Sequence, residues 1–416
     1  MSEWIVTPLG ELVSFQKGRK VATSPFPLNG YAPYLGAGAL SGDHDGYASS
    51  LFAVQANEDD VLMLWDGERS GLCRSGLKGI VSSTVCKLTP KKNIHSELLY
   101  YLLANKYEWI QARRTGTGVP HVPKDIGRIL ELKFPSCLKV QNKIVDILIS
   151  IDQSIEKTNI LVGKYQKIKI GLMNDLLSRG VDHDGKLRAS REHLPESYQE
   201  TSLGWFPKDW QLKRVKDVFN IDSGITLGSH RRPKKNARPY LRVANVFKEK
   251  ISLKDVSLLE ATDSEASRYA LKKYDLLVVE GHANIQQIGR CAIVDNNAEG
   301  LLFQNHLFRL QAKTISPYYG MYYLNSAIAR KYWEMNCSTS SGLNTINRTM
   351  LGNMPFFVPA RTEQASIEEK LNGISLLLKN EIDLLVKLRA QKIGLINDLL
   401  TGKVPVQSKD TEAPHV

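Results

Sequence analysis

Cysteine is scarce and scattered. The five cysteines, Cys73, Cys86, Cys137, Cys291 and Cys337, show neither zinc-ribbon spacing nor a Cys-x-x-Cys pair, which fits a reducing compartment. The nine histidines include no His-x3-His or His-Glu-x2-His pair, so a zinc centre has no support. No stretch approaches the ~20 apolar residues of a membrane span, and Met1-Ser2-Glu3-Trp4 lacks the basic and apolar regions of a signal peptide. The expectation is a cytoplasmic protein without a membrane partner. Acid is short as well: 43 Asp and Glu stand against 55 Lys and Arg, a net charge of +12 and a pI near 9.3. That balance favours a polyanionic partner, although charge alone does not separate nucleic acid from a membrane surface.

Catalytic signatures are missing too. Gly180-Val181-Asp182-His183-Asp184-Gly185-Lys186-Leu187 half-matches a phosphate-binding P-loop. It has no Ser or Thr to hold magnesium, its two Asp would repel phosphate, and it follows a helix where the motif needs a strand. Asn353-Met354-Pro355-Phe356 is near the Asn-Pro-Pro-aromatic motif of amino-methyltransferases, but the first Pro is absent and no Gly-rich cofactor loop precedes it. No Ser/His/Asp or Cys/His arrangement stands out. The expectation is a chain with no catalytic residues, no metal and no cofactor of its own.

What the chain does have is a phrase stated twice. Lys169-Ile170-Gly171-Leu172-Met173-Asn174-Asp175-Leu176-Leu177 returns as Lys392-Ile393-Gly394-Leu395-Ile396-Asn397-Asp398-Leu399-Leu400, and the same offset pairs Gln141 with Gln364 and Ile144 with Ile367. Repeats of this kind mark a duplication. Apolar residues in each copy recur at 4-3-4-3 spacing, the seam of a coiled coil. One seam runs from Ile144 to Leu176 and the other from Ile367 to Leu399. Both are interrupted at the same two steps, by Thr158 or Glu381 and by Lys169 or Lys392. Two long helices packed on each other are predicted.

The duplication extends into the remainder. Trp4-x4-Leu9-x2-Leu12-x5-Gly18 reappears as Trp210-x4-Val215-x2-Val218-x5-Gly224, Tyr34-Leu35 answers Tyr240-Leu241, and Gly118 to Pro135 aligns with Gly342 to Pro359. Short β-like runs such as 61–65, 80–85, 275–279 and 300–303 alternate with turns, followed by aromatic helices over 96–110 and 316–333. The class is α+β. The predicted division is a globular domain at 1–135, a helix at 136–180, a polar linker at 181–204, a second domain at 205–358, a second helix at 359–403 and a disordered tail at 404–416. Outside the landmarks the two domains barely resemble each other, as expected of two related tasks on different targets.

Basic and amide-bearing loops carry the strongest binding signal. Arg231, Arg232, Lys234, Lys235, Arg238 and Arg242 occupy a stretch with no acid. The first domain offers Lys17, Arg19 and Lys20 at the corresponding turn, then Arg113 and Arg114 beside Thr115, Gly116 and Thr117. Such groups neutralise phosphates and position a protein on DNA. Base readers are expected among His282, Asn284, Gln286, Gln287, Asn305, His306 and Asn344.

The order of domains and helices resembles the specificity subunit of Type I restriction–modification enzymes. So do the helix ends Asp175-Leu176-Leu177-Ser178 and Asp398-Leu399-Leu400-Thr401-Gly402-Lys403, and the stretch Leu203-Gly204-Trp205-Phe206-Pro207-Lys208-Asp209-Trp210. The turn at Gly342-Leu343-Asn344-Thr345-Ile346, leading to Pro359-x4-Gln364-x2-Ile367, is similar to the end of a target-recognition domain entering its spacer helix. The resemblance covers residues 1 to about 404. It implies two target-recognition domains separated by an antiparallel coiled coil with pseudo-twofold symmetry. It also implies a non-catalytic subunit that reads a bipartite, asymmetric site on double-stranded DNA. Two methyltransferase subunits using S-adenosylmethionine, and restriction subunits using ATP and magnesium, are the implied partners. A helix of ~38 residues spans ~57 Å, enough to hold two readers about one DNA turn, ~34 Å, apart. A fused methyltransferase or nuclease with an unrecognised active site, and a coiled-coil scaffold that reads no sequence, are the competing expectations.

Overall fold

A computed structural model describes residues 3–116, 118–340 and 342–406. The chain divides into two compact units. The first joins the residues up to Ile160 with those from Ile382 onward, and the second is Leu161–Glu381.

Each unit is built on the same sheet. In the first, an antiparallel sheet runs in the order Val13–Lys17, Val85–Pro90, Val61–Leu64, Cys73–Arg74. In the second the order is Phe219–Ser223, Leu307–Ala312, Leu276–Val279, Cys291–Ile293. The central strands Val61–Leu64 and Leu276–Val279 are buried at all four positions, so they read as unbroken apolar runs. Alternation survives in which core each residue joins. Val61 and Met63 face the cluster with the helices, whereas Leu62 and Leu64 face a separate one. Leu276 and Val278 divide from Leu277 and Val279 in the same way.

The landmarks shared by the two halves prove to be joints. Tyr34 and Leu35 pair parallel with Ile80 and Val81, and Tyr240 and Leu241 pair parallel with Leu302 and Phe303. Gly18 and Gly224 lie where the chain presses on the ends of those pairs. A Cβ on Gly18 would fall 2.2 Å from the Ser82 carbonyl oxygen, and one on Gly224 2.2 Å from that of Phe303, so only glycine fits. Trp4–Pro8 pairs with Glu131–Pro135, and Gln211–Arg214 with Pro355–Val358, tying the start of each domain to its end.

The long helices are Leu138–Ser178, 41 residues, and Arg361–Leu399, 39 residues. Each continues unbroken through the boundary between the units. Ile144 and Leu148 join the first unit's core with Leu399 and Leu400. Leu176 and Leu177 join the second unit's core with Ile367 and Leu371. Within the first unit, Asp152 and Asn159 meet Lys392 and Arg389, so numbering rises on one helix as it falls on the other. The pairing is antiparallel.

The two lysines that break the seam have specific partners. Lys392 Nζ lies 2.5 Å from Asp152 and 5.7 Å from the centre of the Tyr101 ring. Lys169 Nζ lies 2.5 Å from Glu249 and 5.9 Å from that of Tyr322. Each lysine leaves the seam to meet an aromatic of its own unit's domain. Gln141 and Gln364 do the same from the start of each helix. The Gln141 amide accepts from the His95 N–H and donates to the carbonyls of Asn93 and Pro135. Gln364 accepts from the Ser316 N–H and donates to Pro359. His95 and Ser316 are the N-caps of the aromatic helices, so a buried amide holds the corresponding helix start in both units.

Three expectations need correction. The aromatic helices are each broken in two. Ser96–Asn105 gives way to Tyr107–Gln111 at Lys106, and Pro317–Asn325 gives way to Ala327–Asn336 at Ser326, whose hydroxyl caps the second piece. The stretch read as a polar linker, 181–204, is not a free connection. It leads into a hairpin of Tyr198–Thr201 and Gly204–Pro207, and Tyr198 and Leu203 are buried. Arg188 clasps it down, donating to both Asp209 oxygens and to Glu363. Glu363 also accepts from the Val181 N–H and the Trp210 indole. Burial pushes the Glu363 carboxyl up while Arg188 pulls it down. Of the stretch expected to be a disordered tail, Val406 packs on the first unit's core; residues 407–416 lie outside the described residues.

Candidate nucleic-acid interface

In the first unit the candidate residues gather at the end of Val13–Lys17. Lys17 closes that strand, and its Nζ lies 2.8 Å from Asp66 Oδ2. The other Asp66 oxygen takes His121 Nδ1 at 2.7 Å. His121 is bridged in turn to Thr115, through hydrogen bonds of 3.0 and 2.8 Å in each direction. Arg19 and Lys20 are exposed on the loop beyond. Arg113 is exposed and lies 4.0 Å from the centre of the Trp109 ring. Arg114 is a different case, because its guanidinium donates to the carbonyls of Gln111 and Glu68 and so serves the fold. Thr117 lies outside the described residues. Asp66 and His121 were not anticipated from sequence. They are 55 positions apart, and no local pattern joins them.

In the second unit the amide-bearing residues converge on one small sheet. His282 pairs with Asn344, and the Asn344 amide donates to Ala283 at 2.9 Å. His282 Nδ1 accepts from the Asn284 N–H, Asn284 Oδ1 accepts from the Gln286 N–H, and the Gln286 amide reaches Glu334. Gln287 closes that turn on the Asn284 carbonyl. Glu280, immediately before this sheet, holds His306 Nδ1 at 2.7 Å. Asn305 is tied by its N–H to Ile225, and Gln304 by its N–H to Leu241. The turn 304–306 therefore sits beside Arg242, the end of the basic run.

That run is only half free. The sequence from 231 to 242 contains no acid, but the fold supplies three. Arg231 makes a two-pronged pair with Glu265 at 2.8 and 2.6 Å, Arg238 meets Asp263 at 2.7 Å and Arg242 meets Asp255 at 2.5 Å. Arg231 holds the Glu265 carboxyl down to about 2. Glu260 ties the loop's backbone by accepting from the N–H groups of Lys234 and Asn236. Arg232, Lys234 and Lys235 remain exposed, with no carboxylate in ion-pair reach among the described residues. These three can neutralise phosphate at no cost to an existing pair.

The two motifs that resembled catalytic loops have other roles. Asp182 Oδ1 accepts from the N–H groups of Asp184 and Lys186, occupying the amides a phosphate would need. Phe356 is fully buried against Phe219 and Tyr323, as a core residue of a strand. Among the described residues no group of three or more His, Cys, Asp or Glu is placed to hold a metal, and no helix is long and apolar enough to cross a membrane.

Comparison with known proteins bears on the whole length. The family described as "Type I restriction modification DNA specificity domain" matches residues 1–163 and 207–387. The Type I restriction enzyme MjaVIII specificity subunit of Methanocaldococcus jannaschii is 29% identical over 418 residues, 98% of this chain and 94% of that protein. The StySPI specificity subunit of Salmonella potsdam is 21% identical over 326 residues, 76% of this chain and 67% of the other. Among solved structures, the Type-I restriction-modification system S subunit from M. genitalium aligns at a TM-score of 0.60 and 15% identity, over 98% of this chain and 97% of that one. At that identity the likeness speaks to fold, and it agrees with the α+β units and long helices described above.

Proposed function

The chain belongs to the Type I restriction modification DNA specificity family, and from that premise we propose that each unit reads one half of a bipartite, asymmetric DNA site. The chain is the non-catalytic, sequence-recognising member of its complex. The observation that carries the two-half reading is the frame itself. Strand order in the four-stranded sheet and the parallel joints are the same in both units, while the loops at the ends of those strands differ in sequence. A shared scaffold with different loops is what two readers of different sequences require.

The exposed cations Arg19, Lys20, Arg232, Lys234 and Lys235 set position along the phosphates, and the amide and imidazole groups beside them meet base edges. The helix pair fixes the separation of the two half-sites. Two methyltransferase subunits dock on the chain, with restriction subunits in the full complex. S-adenosylmethionine, ATP and magnesium belong to those partners. Replacing residues 1–135 by the matching segment of another family member, and sequencing the methylated sites in cells, tests the reading. One half of the methylated sequence should change and the other stay; change in both halves would overturn it.

A further inference from the structure

Each unit holds a histidine against a carboxylate near the end of its central strand. In the first, His121 Nδ1 lies 2.7 Å from Asp66 Oδ1; in the second, His306 Nδ1 lies 2.7 Å from Glu280 Oε2. The carboxylates are the deeper partners. Side-chain exposure is 16% for Asp66 and 26% for Glu280, against 44% for His121 and 60% for His306. A carboxylate accepts, so the hydrogen of this bond sits on Nδ1, and an uncharged ring held this way carries its lone pair on Nε2. Among the described residues neither Nε2 has a partner.

This arrangement is not a relic of the duplication. The Val122 N–H donates to the Trp65 carbonyl and the Ile346 N–H to that of Glu280. The Trp65 N–H donates to Thr84 and the Glu280 N–H to His306. Glu280 and His306 therefore occupy the positions held in the first unit by Trp65 and Thr84. Asp66 and His121, bridged to each other, correspond to the paired Gly281 and Thr345. The two units thus build the same pairing from adjacent, non-equivalent register positions. Inherited packing would have kept the positions, so the two pairs were not copied from one another.

Resting on the reading of the chain as two sequence readers, the geometry points to His121 and His306 as base-reading residues. Each offers Nε2 as a hydrogen-bond acceptor to an exocyclic amine in the major groove, adenine N6 or cytosine N4. A phosphate oxygen is a poor match, since it would meet the Nε2 lone pair with its own. Asp66 and Glu280 are positioning residues that fix the tautomer. Lys17, 2.8 Å from Asp66 Oδ2, occupies the carboxylate's second oxygen and leaves the first to the ring.

The test uses the full chain assembled with its methyltransferase, on the duplex defined by its methylated sites. His121→Ala and His306→Ala should each weaken binding to that duplex by roughly 5- to 150-fold, the worth of one good base contact. Binding to scrambled duplex and the salt slope should hold. Duplexes lacking a single exocyclic amine, with purine for adenine or 2-pyrimidinone for cytosine, should cost the wild type at one position per half-site. The matching alanine variant should lose nothing further there. Asp66→Asn and Glu280→Gln can donate an amide hydrogen to Nδ1 and move the ring proton to Nε2, so preference at that position should shift toward guanine, whose groove edge accepts. A merely structural role would not produce that shift. Equal loss on all sequences with a flatter salt slope would make these phosphate ligands and overturn the proposal, as would unchanged affinity or a loss indifferent to the amines. Failure of the wild type to distinguish its site from scrambled duplex would instead defeat the sequence-reader reading beneath it.

Discussion

Gln141→Met isolates the work of one buried amide. Methionine matches glutamine in length and helix propensity, so the long helix should keep its course while losing three hydrogen bonds. The His95 N–H and the carbonyls of Asn93 and Pro135, now at 2.8, 3.1 and 2.9 Å, would all lose their partner. A buried polar group left alone costs about 1–3 kcal/mol. The bond to Pro135 is fully buried and the other two are only partly so, which lets water recover some of the loss. The expected destabilisation is about 2–4 kcal/mol. At ~2–4 °C per kcal/mol for units of 150–250 residues, the first unit's melting point should fall by roughly 5–15 °C. Gln364→Met strands only the Ser316 N–H and the Pro359 carbonyl, so its effect should be smaller and confined to the second unit. Thermal unfolding gives the magnitudes, and hydrogen exchange of the amides in Ser96–Asn105 and Pro317–Asn325 gives the location. A loss below ~0.5 kcal/mol for Gln141→Met, or protection lost equally in both helices from either substitution, would refute the reasoning.

Arg232→Ala, Lys234→Ala and Lys235→Ala should each flatten the logarithmic salt dependence of DNA binding by about one unit; Arg231→Ala should leave the slope unchanged and lower stability, because its partner is Glu265. Titration over a salt series separates the two outcomes, and a slope change for Arg231 alone would reverse the assignment. The Arg231–Glu265 pair should also respond to acid. Its carboxyl is held at about 2 against an ordinary 4.5, so its stabilisation is present above the ordinary value and fades as pH falls toward 2. Wild type and Glu265→Gln should differ in melting point at pH 7 and converge near pH 2, and a constant difference would exclude the linkage. Inserting one heptad at matched positions in both long helices should preserve the seam and add ~10 Å. The methylated site should then keep both half-sequences around a longer spacer; an unaltered spacer would show that the helices do not set it.

Much of the backbone frame was legible in the sequence. Helical periodicity exposed the long helices, and Gly18 and Gly224 marked joints because no side chain fits there. Lys169 and Lys392 showed as matched breaks, although their partners Tyr322 and Tyr101 could not be named from spacing. Hidden features were those made by distant contacts. Arg231, Arg238 and Arg242 look uncompensated because Glu265, Asp263 and Asp255 arrive from 13 to 34 residues away. His121 and Asp66 meet across 55 positions of sequence. The 181–204 stretch is polar enough to read as a linker, yet Arg188 fastens it through Asp209 and the buried Glu363. Charge runs report composition along a line, and ion pairs form in space.

The boundary inside both long helices has a consequence for synthesis. The second unit is contiguous, Leu161 to Glu381, and can close as soon as it leaves the ribosome. The first unit emerges earlier but has no way to finish, because Leu399 and Leu400 belong to its core. At ~5–20 residues per second, Ile144 and Leu148 wait on the order of ten to fifty seconds for those leucines. During that interval the part of the chain made first still lacks the residues that complete its core. A ribosome that stops just after Glu381 would release a complete second unit joined to a first unit whose core lacks Leu399 and Leu400.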